Sequence, residues 1–259
     1  PTQYVCDGVP DCPDGEDELE CNSSKILTCP GLLKCTTENL CVNHFQVCDG
    51  VIHCLDSKDD EKSCGKFTCP EMCSCLAYGV DCSSQILIKF PSLSVQTRSF
   101  VLINSSLTKF QGQENIKDLS VLMSLVIVGC GITEIPSYLF QYNKLLLLLD
   151  LSINKIQHIS ETTFYNLSNV ITLNLDTNCI ETIPDKTFRY LTSLKYLYLS
   201  HLALKLIDEN GFSSLNSLIY LTVSDNELRK INSNHFQDLK SLETLNLQGN
   251  KLYSVHGAA

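Results

Sequence analysis

The segment Leu173-Asn174-Leu175-Asp176-Thr177-Asn178 decides the fold, because its pattern of two leucines and a later asparagine recurs at a fixed interval. The same pattern stands 24 residues earlier in Leu149-Asp150-Leu151, and it returns in Leu245-Asn246-Leu247. Five phenylalanines keep the interval of 24 residues: Phe140, Phe164, Phe188, Phe212 and Phe236. A period in the range of roughly 20 to 50 residues predicts a solenoid, in which stacked units bury one continuous core.

Each unit is predicted to form one short parallel strand and to return along the convex side. The asparagine three positions after the second leucine should bond backbone groups that the turn leaves open. This position is held by Asn154, Asn178, Asn226 and Asn250. Leu202 interrupts the series of asparagines. Two weaker units come before Asn154 and carry Ser105 and Cys130 at this position. We therefore predict seven units.

This pattern is similar to the leucine-rich-repeat signature. The resemblance implies an α/β-type solenoid over residues 84–259, with a parallel β-sheet horseshoe and little helix. A cysteine cluster directly before it, in residues 65–83, resembles the N-terminal cap of extracellular leucine-rich repeats. The resemblance implies the disulfides Cys69–Cys75 and Cys73–Cys82. Such a cap covers the apolar face of the first repeat.

Thirteen of the 15 cysteines lie between Cys6 and Cys82, a density that indicates disulfide-bonded modules in an oxidising compartment. The paired Cys/His spacings of zinc sites are missing from this stretch. We expect Cys130 and Cys179 to be buried or half-buried thiols. A bridge between these two is not expected, because two repeats separate them and neighbouring strands lie about 4.8 Å apart.

Acidic residues are concentrated before the repeats. Residues 1–64 hold 13 Asp and Glu against 4 Lys and Arg, within a chain whose net charge is −10. A pI near 5.0 and the lack of a basic stripe exclude a nucleic-acid partner. Because cysteines are interspersed with the acids, this block favours a metal-binding role over a solvated tail.

The motif Cys-Asp-Gly-x-x-Asp-Cys-x-Asp-x-x-Asp-Glu in residues 6–18 is similar to the calcium box of the low-density-lipoprotein-receptor class A module. The resemblance makes residues 1–21 the C-terminal half of one module and residues 22–64 a second module. It implies calcium bound by six oxygens. In the first module these are the side chains of Asp7, Asp11, Asp17 and Glu18 and the carbonyls of Tyr4 and Val9.

In the second module the resemblance implies calcium ligands Asp49, Asp59 and Asp60. His53 stands where the family has Asp, and neutral imidazole is a poor ligand for calcium, so this site is expected to be weak or empty. The family's disulfide pairing implies four bridges in the two modules: Cys6–Cys21, Cys29–Cys41, Cys35–Cys54 and Cys48–Cys64.

Outward side chains of parallel strands should form a broad concave surface. Its most distinctive cluster is predicted to be Tyr196, Tyr198 and Tyr220, with outward acids at Asp150, Asp176, Asp225 and Glu243. We predict that it binds a peptide or protein with apolar and basic groups. The alternative is that these residues only keep a strand surface soluble.

Other features bear on the protein class. Glycosylation sequons begin at Asn22, Asn104 and Asn166, which agrees with a secretory route. No catalytic motif is present, so an enzyme is not expected. No apolar run approaches the roughly 18–20 residues that cross a bilayer. Because the chain begins with Pro1, we expect it to be an internal fragment.

The order of class A modules, cap and repeats resembles the ectodomain of leucine-rich-repeat G-protein-coupled receptors that carry such modules. The relaxin-family peptide receptors have one module, and two modules make the layout closer to the multi-module invertebrate branch. The resemblance implies a secreted peptide or protein ligand captured by the repeats and activation assisted by the modules. It implies a heterotrimeric G protein as partner and a place on the extracellular face of the plasma membrane. The alternatives are a non-signalling adhesion or matrix protein and an endocytic receptor.

Overall fold

The computed structural model describes residues 33–42, 46–47, 51–62, 67–76, 78–83, 87, 89–107 and 116–256. The chain divides into two compact units. The first comprises Pro1–Phe67 with Leu76–Tyr78, and the second comprises Thr68–Cys75 with Gly79–Ala259. The predicted segment boundaries at residues 21, 64 and 83 stay predictions.

The first unit is built around a disulfide. Strands β1 (Leu33–Lys34) and β2 (Cys41–Val42) pair antiparallel, and the helix α1 spans Asp59–Lys62. The described core comprises only Cys35, Val42, Val47 and Cys54, with Leu40 packed against it. So small an apolar core indicates that crosslinks supply much of this unit's stability.

The bridge in this core joins Cys35 to Cys54, which is the pair that the class A resemblance implies. Cys41 is also disulfide-bonded. Apart from Cys41, the cysteines of the remaining predicted bridges lie outside the described residues: Cys6, Cys21, Cys29, Cys48 and Cys64.

The second unit is a parallel-sheet solenoid. Its strands, in chain order, are β3 (Ser74–Leu76), β4 (Gly79–Asp81), β5 (Ser99–Ile103), β6 (Ser124–Val128), β7 (Leu148–Asp150), β8 (Thr172–Asn174), β9 (Thr182–Ile183), β10 (Tyr196–Tyr198), β11 (Leu206–Ile207), β12 (Tyr220–Thr222), β13 (Lys230–Asn232), β14 (Thr244–Asn246) and β15 (Ser254–His256). A 3₁₀ turn, Ser233–Phe236, follows β13.

Nine of these strands form one sheet in the order β14-β12-β10-β8-β7-β6-β5-β4-β3. The pairs from β4 to β14 are parallel and in register, so Leu149, Leu173, Leu197 and Leu221 stand side by side. Two further parallel pairs, β9 with β11 and β13 with β15, were not predicted from the sequence. The predicted solenoid with little helix is confirmed, and the seven repeat strands enclose six complete turns.

The periodic phenylalanines form a stack inside the repeats. Ring centroids are 5.7 Å apart between Phe164 and Phe188, 6.1 Å between Phe188 and Phe212, and 6.4 Å between Phe212 and Phe236. Phe140, Phe164 and Phe188 are fully buried, as are the inward leucines of β7, β8, β10 and β12. The core therefore runs along the solenoid as one column of aromatic rings beside rows of leucines.

The predicted asparagine ladder bonds adjacent repeats. Asn178 donates through Nδ2 to the carbonyls of Leu151 and Leu175, and its Oδ1 accepts from the Ile156 N–H. In the second repeat Cys130 takes the ladder position, and its thiol lies 3.3 Å from the Val128 carbonyl oxygen. Burial raises the pKa of this thiol. Cys130 is therefore a buried structural donor.

The prediction that Cys179 is buried or half-buried was wrong, because its thiol is exposed. Cys179 follows the ladder residue Asn178, and the equivalent places in other repeats carry the charged residues Lys155, Glu227 and Lys251. This position faces solvent, whereas the ladder position faces the core.

The residue before each ladder position has a left-handed backbone. The φ values lie between 52° and 72° in all seven repeats: Asn104, Gly129, Ile153, Thr177, His201, Asp225 and Gly249. Left-handed geometry is unfavourable for side chains with a Cβ, and most of all for β-branched ones such as Ile153. The turn that ends each strand imposes this conformation whichever residue stands there.

The cap before the repeats contains two disulfides, Cys69–Cys75 and Cys73–Cys82. These are the pairs implied by the resemblance. Val80 on β4 is buried and pairs in register with Phe100 on β5, the first repeat strand. The cap strand thereby extends the sheet and covers the first repeat's side of the core. Among the helices of the described residues, none is long and apolar enough to cross a membrane.

Candidate ligand-binding surface

The three tyrosines predicted to cluster lie on the exposed face of β10 and β12. Tyr196 is the register partner of Tyr220, and Tyr198 is the partner of Thr222. Because Leu197 is fully buried, its neighbours on both sides point away from the core. The rings of Tyr198 and Tyr220 are in contact, with centroids 5.4 Å apart and planes tilted by 41°. The structure thus brings this predicted cluster together.

Two of the predicted acids adjoin these rings through a hydrogen-bonded strip. The Asn174 Nδ2 donates to Asp150 Oδ2 at 3.2 Å, and the Asp176 N–H donates to Asn174 Oδ1 at 3.0 Å. Asn174 is also the register partner of Tyr198. We call Asp150, Asp176 and the three tyrosines Tyr196, Tyr198 and Tyr220 the tyrosine–aspartate surface.

Electrostatics at this surface depend on partial burial. Burial raises the pKa of the Asp176 carboxyl, the Ser200 backbone N–H at 2.6 Å and nearby His201 oppose the rise, and Asp150 adds to it. Burial also raises the pKa of the Tyr198 phenol, as do Tyr220 and Asp176. The phenol therefore remains a protonated donor at neutral pH. The two aspartates place negative charge where water is partly excluded, which favours a cationic group of a ligand.

A triangle of buried hydroxyls lies beside these residues and was missed by the sequence analysis. Ser200 Oγ lies 2.8 Å from Thr222 Oγ1 and accepts from Ser224 Oγ at 3.0 Å. Thr222 Oγ1 donates to Ser224 Oγ at 3.4 Å. Small hydroxyl residues at matching places of consecutive repeats are the only sequence signal for it. Because each hydroxyl has a partner, this buried polar group is tolerated.

The other two predicted acids stand apart from the strip. Asp225 lies in the turn after β12, and its Oδ2 is 3.6 Å from His201 Nε2. Glu243 precedes β14 and is exposed. These acids add negative charge to the exposed face of the sheet. Asp225 pairs with His201 and takes no part in the hydrogen-bonded strip of Asp150, Asn174 and Asp176.

Two of the calcium ligands predicted in the second module, Asp59 and Asp60, accept hydrogen bonds within that module. Asp59 accepts from both the hydroxyl and the backbone N–H of Thr36, and these bonds, followed by one from Ser57, hold its pKa below the usual value. Asp60 is fully buried, and its Oδ2 accepts from the His53 N–H at 2.5 Å. Their predicted role as calcium ligands stays a prediction. Within the described ranges, no group of three or more His, Cys, Asp or Glu residues could hold a metal.

The remaining predicted calcium ligands lie outside the described residues. They are Tyr4, Asp7, Val9, Asp11, Asp17 and Glu18 of the first module and Asp49 of the second.

The predicted glycosylation sites differ in their surroundings. Asn104 is exposed, whereas Asn166 is half-buried and donates through Nδ2 to the Gln141 carbonyl at 2.9 Å. Asn22 lies outside the described residues.

Comparison with known proteins identifies two kinds of domain. The family model described as leucine rich repeat matches residues 120–169, 148–204 and 202–252. Together these matches span residues 120–252, just over half of the 259 residues. The model described as low-density lipoprotein receptor domain class A matches residues 1–21. Both kinds of domain are typical of extracellular regions and of protein interaction.

Proposed function

Because the chain belongs to the leucine-rich-repeat family, we propose that its repeats are the ligand-capturing part of an extracellular receptor. The tyrosine–aspartate surface is the proposed site, and the ligand is a secreted peptide or protein with apolar and basic groups. The observation that carries this proposal is the contact between Tyr198 and Tyr220 beside the bonded pair Asp150 and Asn174, all on one exposed strand face.

The chemistry of this surface suits such a ligand. The tyrosines offer large apolar area and keep a polar end, as residues at interface hot spots do. The carboxylates of Asp150 and Asp176 are already oriented by backbone and side-chain donors, so binding a cation costs little further ordering. Since the strands are packed in register, the surface is rigid and needs no rearrangement to present these groups together.

We further propose that the chain is the ectodomain of a G-protein-coupled receptor on the extracellular face of the plasma membrane. In this proposal the class A modules assist activation, and a membrane domain engages a heterotrimeric G protein. Calcium would be held in the first module by Asp7, Asp11, Asp17 and Glu18 with the carbonyls of Tyr4 and Val9. The supporting observation is the order of the matches, with the class A domain before the repeats.

The capture site is tested by binding. The secreted 259-residue chain is screened against a display library of secreted peptides, and a selected peptide is then measured on variants. The triple variant Tyr196→Ala, Tyr198→Ala and Tyr220→Ala should bind at least about tenfold more weakly, because buried aromatic anchors dominate interface energy. Tyr253→Ala, another exposed tyrosine of the repeats, is the matched control and should bind as the wild type does. Unchanged binding by the triple variant would refute the site.

The receptor class is tested by reading the transcript beyond Ala259. Seven apolar spans of about 20 residues each would support the G-protein-coupled receptor. A single span, or a cysteine-rich cap with none, would refute it and leave adhesion or uptake.

An endocytic receptor is the second candidate. Residues 1–21 match the class A module, and the resemblance implies a module that binds basic ligands through its calcium site. This function predicts that a chelator abolishes binding of the selected peptide and that the triple tyrosine variant leaves binding intact. The capture proposal predicts the reverse for the triple variant.

A further inference from the structure

A second group of tyrosines lies on the convex side of the repeats, away from the strands. Tyr165 contacts Tyr138 with ring centroids 5.2 Å apart and Tyr190 with centroids 4.9 Å apart, both edge to face. Tyr138 is 44% exposed, and Tyr142 in the same segment is 56% exposed. We call Tyr138, Tyr142, Tyr165 and Tyr190 the convex tyrosine patch. Three contacting rings, with the exposed Tyr142 in the same segment as Tyr138, indicate that this face has an occupant.

A glycosylation sequon begins inside this patch. Asn166 directly follows Tyr165, and the 24-residue period places it between Tyr142 and Tyr190 of the neighbouring repeats. Its Nδ2 donates at 2.9 Å to the carbonyl of the peptide bond that joins Gln141 to Tyr142. The amide nitrogen of Asn166 is therefore held next to the segment that carries the exposed Tyr142 ring. The sequon's hydroxyl residue, Ser168, is exposed.

One end of the patch is already covered by the protein. The Arg189 guanidinium lies 4.6 Å from the centre of the Tyr190 ring, and its Nη2 donates to the Tyr190 hydroxyl at 2.6 Å. Arg189 is also 3.4 Å from a carboxylate oxygen of Glu161. The open part of the patch is consequently the side of Tyr138 and Tyr142, which is the side to which the Asn166 amide is bonded.

We propose that the convex tyrosine patch is the docking surface for the first sugars of an N-linked glycan carried by Asn166. The glycan is added when the Asn166 amide nitrogen bonds to the anomeric carbon of a lipid-diphosphate-linked oligosaccharide. That nitrogen loses one proton, and the lipid diphosphate is the leaving group. The second amide hydrogen remains available for the Gln141 carbonyl, so the same hydrogen bond fixes the direction in which the glycan leaves the protein.

The attraction follows from the chemistry of the two faces. The C–H bonds on one face of an N-acetylglucosamine ring carry slight positive charge, whereas the face of a tyrosine ring is negative. Packing the sugar over Tyr142 and Tyr138 also removes apolar area from water. The patch thereby gains a cover that belongs to the chain itself, and no protein partner is needed.

The test compares tyrosine reactivity with and without the glycan. The 259-residue chain is secreted from a eukaryotic host, treated with tetranitromethane, and digested so that nitration of each tyrosine is read by mass spectrometry. In Ser168→Ala, which removes the sequon but keeps Asn166 and its bond to Gln141, nitration of Tyr142 and Tyr138 should rise. Tyr253, which is 68% exposed and distant in sequence, is the internal control and should react equally in both proteins.

Further controls separate this glycan from others and from misfolding. Asn104→Gln, which removes another sequon, should leave Tyr142 protected. Release of the whole glycan from the folded wild type by an amidase, which leaves Asp at position 166, should give the same rise as Ser168→Ala, whereas an endoglycosidase that leaves the first sugar should not. Equal nitration of Tyr142 with and without the glycan would overturn the proposal, as would an Asn166 that carries no glycan in the secreted protein.

Discussion

The side chain of Asn226 connects two repeats through five hydrogen bonds. Its Oδ1 accepts from the N–H groups of Leu202 and Leu204, and its Nδ2 donates to the carbonyls of Leu199, Val223 and Ser224. Only 4% of the residue is exposed, so water cannot replace these partners. At the scale of the single residue, the ladder therefore satisfies backbone groups that the turn would otherwise bury unpaired.

We expect Asn226→Ala to lower the free energy of unfolding by about 3 kcal/mol, because several buried backbone groups lose their partner. Urea denaturation followed by circular dichroism measures the change. Asn216→Ala is the control at an exposed position, and it should cost about 0.5 kcal/mol or less. Equal losses in the two variants would show that the ladder bonds contribute no stability of their own.

The left-handed position before the ladder gives an opposite prediction. Ile153 has a φ of 55°, so its backbone is strained. Because 56% of the residue is exposed, replacing its side chain sacrifices little buried apolar area. Ile153→Asn should raise the free energy of unfolding by about 1 kcal/mol, since asparagine adopts this conformation more readily. Leu206→Asn, at a 54% exposed position in the extended strand β11, should not raise the free energy of unfolding. A gain at both positions would point to solubility and not to backbone strain.

The sequence predicted the ladder residues but not the conformation before them. Asn at the ladder position and Leu at the inward strand positions are recognisable in the sequence, because the first must bond backbone groups and the second must fill the core. Asn, Asp or Gly stands at four of the seven left-handed positions, but Ile153, Thr177 and His201 occupy the other three, so residue type marks this position only in part. Turn closure in three dimensions sets its geometry.

At the scale of the strand, alternation decides which side chains meet a ligand. The sequence predicted that Tyr198 and Tyr220 would be neighbours, because the 24-residue period fixes which positions of each strand point inward. It did not predict the convex tyrosine patch, since Tyr138 and Tyr165 lie off the 24-residue spacing that Tyr142 and Tyr190 keep. The ring contacts therefore join different positions of successive repeats.

The partly buried carboxyl next to β8 gives a pH-dependence at this scale. Burial raises the pKa of Asp176 above 3.8, so its ionisation costs more in the folded than in the unfolded protein. Stability should therefore fall as pH rises from 3.8 toward the raised pKa. Asp176→Asn, which keeps an oxygen for the Ser200 N–H, should reduce this fall. Urea midpoints between about pH 3 and 6 measure it.

Glu227→Gln is the control of opposite sign for this experiment. The Lys251 ammonium, 3.1 Å from its carboxylate, holds the pKa of Glu227 below 4.5, so this group stabilises the fold above its pKa. Its removal should lower stability at neutral pH relative to acid. A pH profile of Asp176→Asn identical to that of the wild type would contradict the role of burial.

At the scale of the whole molecule, the two units rest on different physics. The described core of the first unit holds the Cys35–Cys54 bridge and two valines, whereas the repeats bury continuous rows of leucine and phenylalanine. A crosslinked module depends on its disulfides, and a solenoid depends on nearest-neighbour packing. The cysteine density predicted this division, whereas disulfide pairing and a calcium shell depend on distances that residue spacing cannot supply.

Reducing the disulfides should destabilise the first unit and leave the repeats of the second unit folded. A mild reductant at neutral pH should raise amide hydrogen exchange in residues 33–62 strongly, because removing a disulfide from so small a core typically costs about 2–5 kcal/mol. Exchange in residues 120–252 should remain slow, since no bridge lies in that range. Mass spectrometry of peptides from the two ranges gives the measurement. Parallel loss of protection in both would contradict the division.

The in-register strands have one consequence for the shape of a bound chain. Neighbouring strands lie about 4.8 Å apart, whereas an extended peptide advances about 3.3 Å per residue. Three residues of a peptide laid across the sheet therefore span about two strand spacings. Because side chains alternate between the two faces of an extended peptide, one that faces the sheet returns to an equivalent strand position only at the sixth residue, about 20 Å or four strand spacings further on. That is the distance from β7 to β14, so an extended ligand that crosses these strands would repeat its anchor side chains at intervals of six residues.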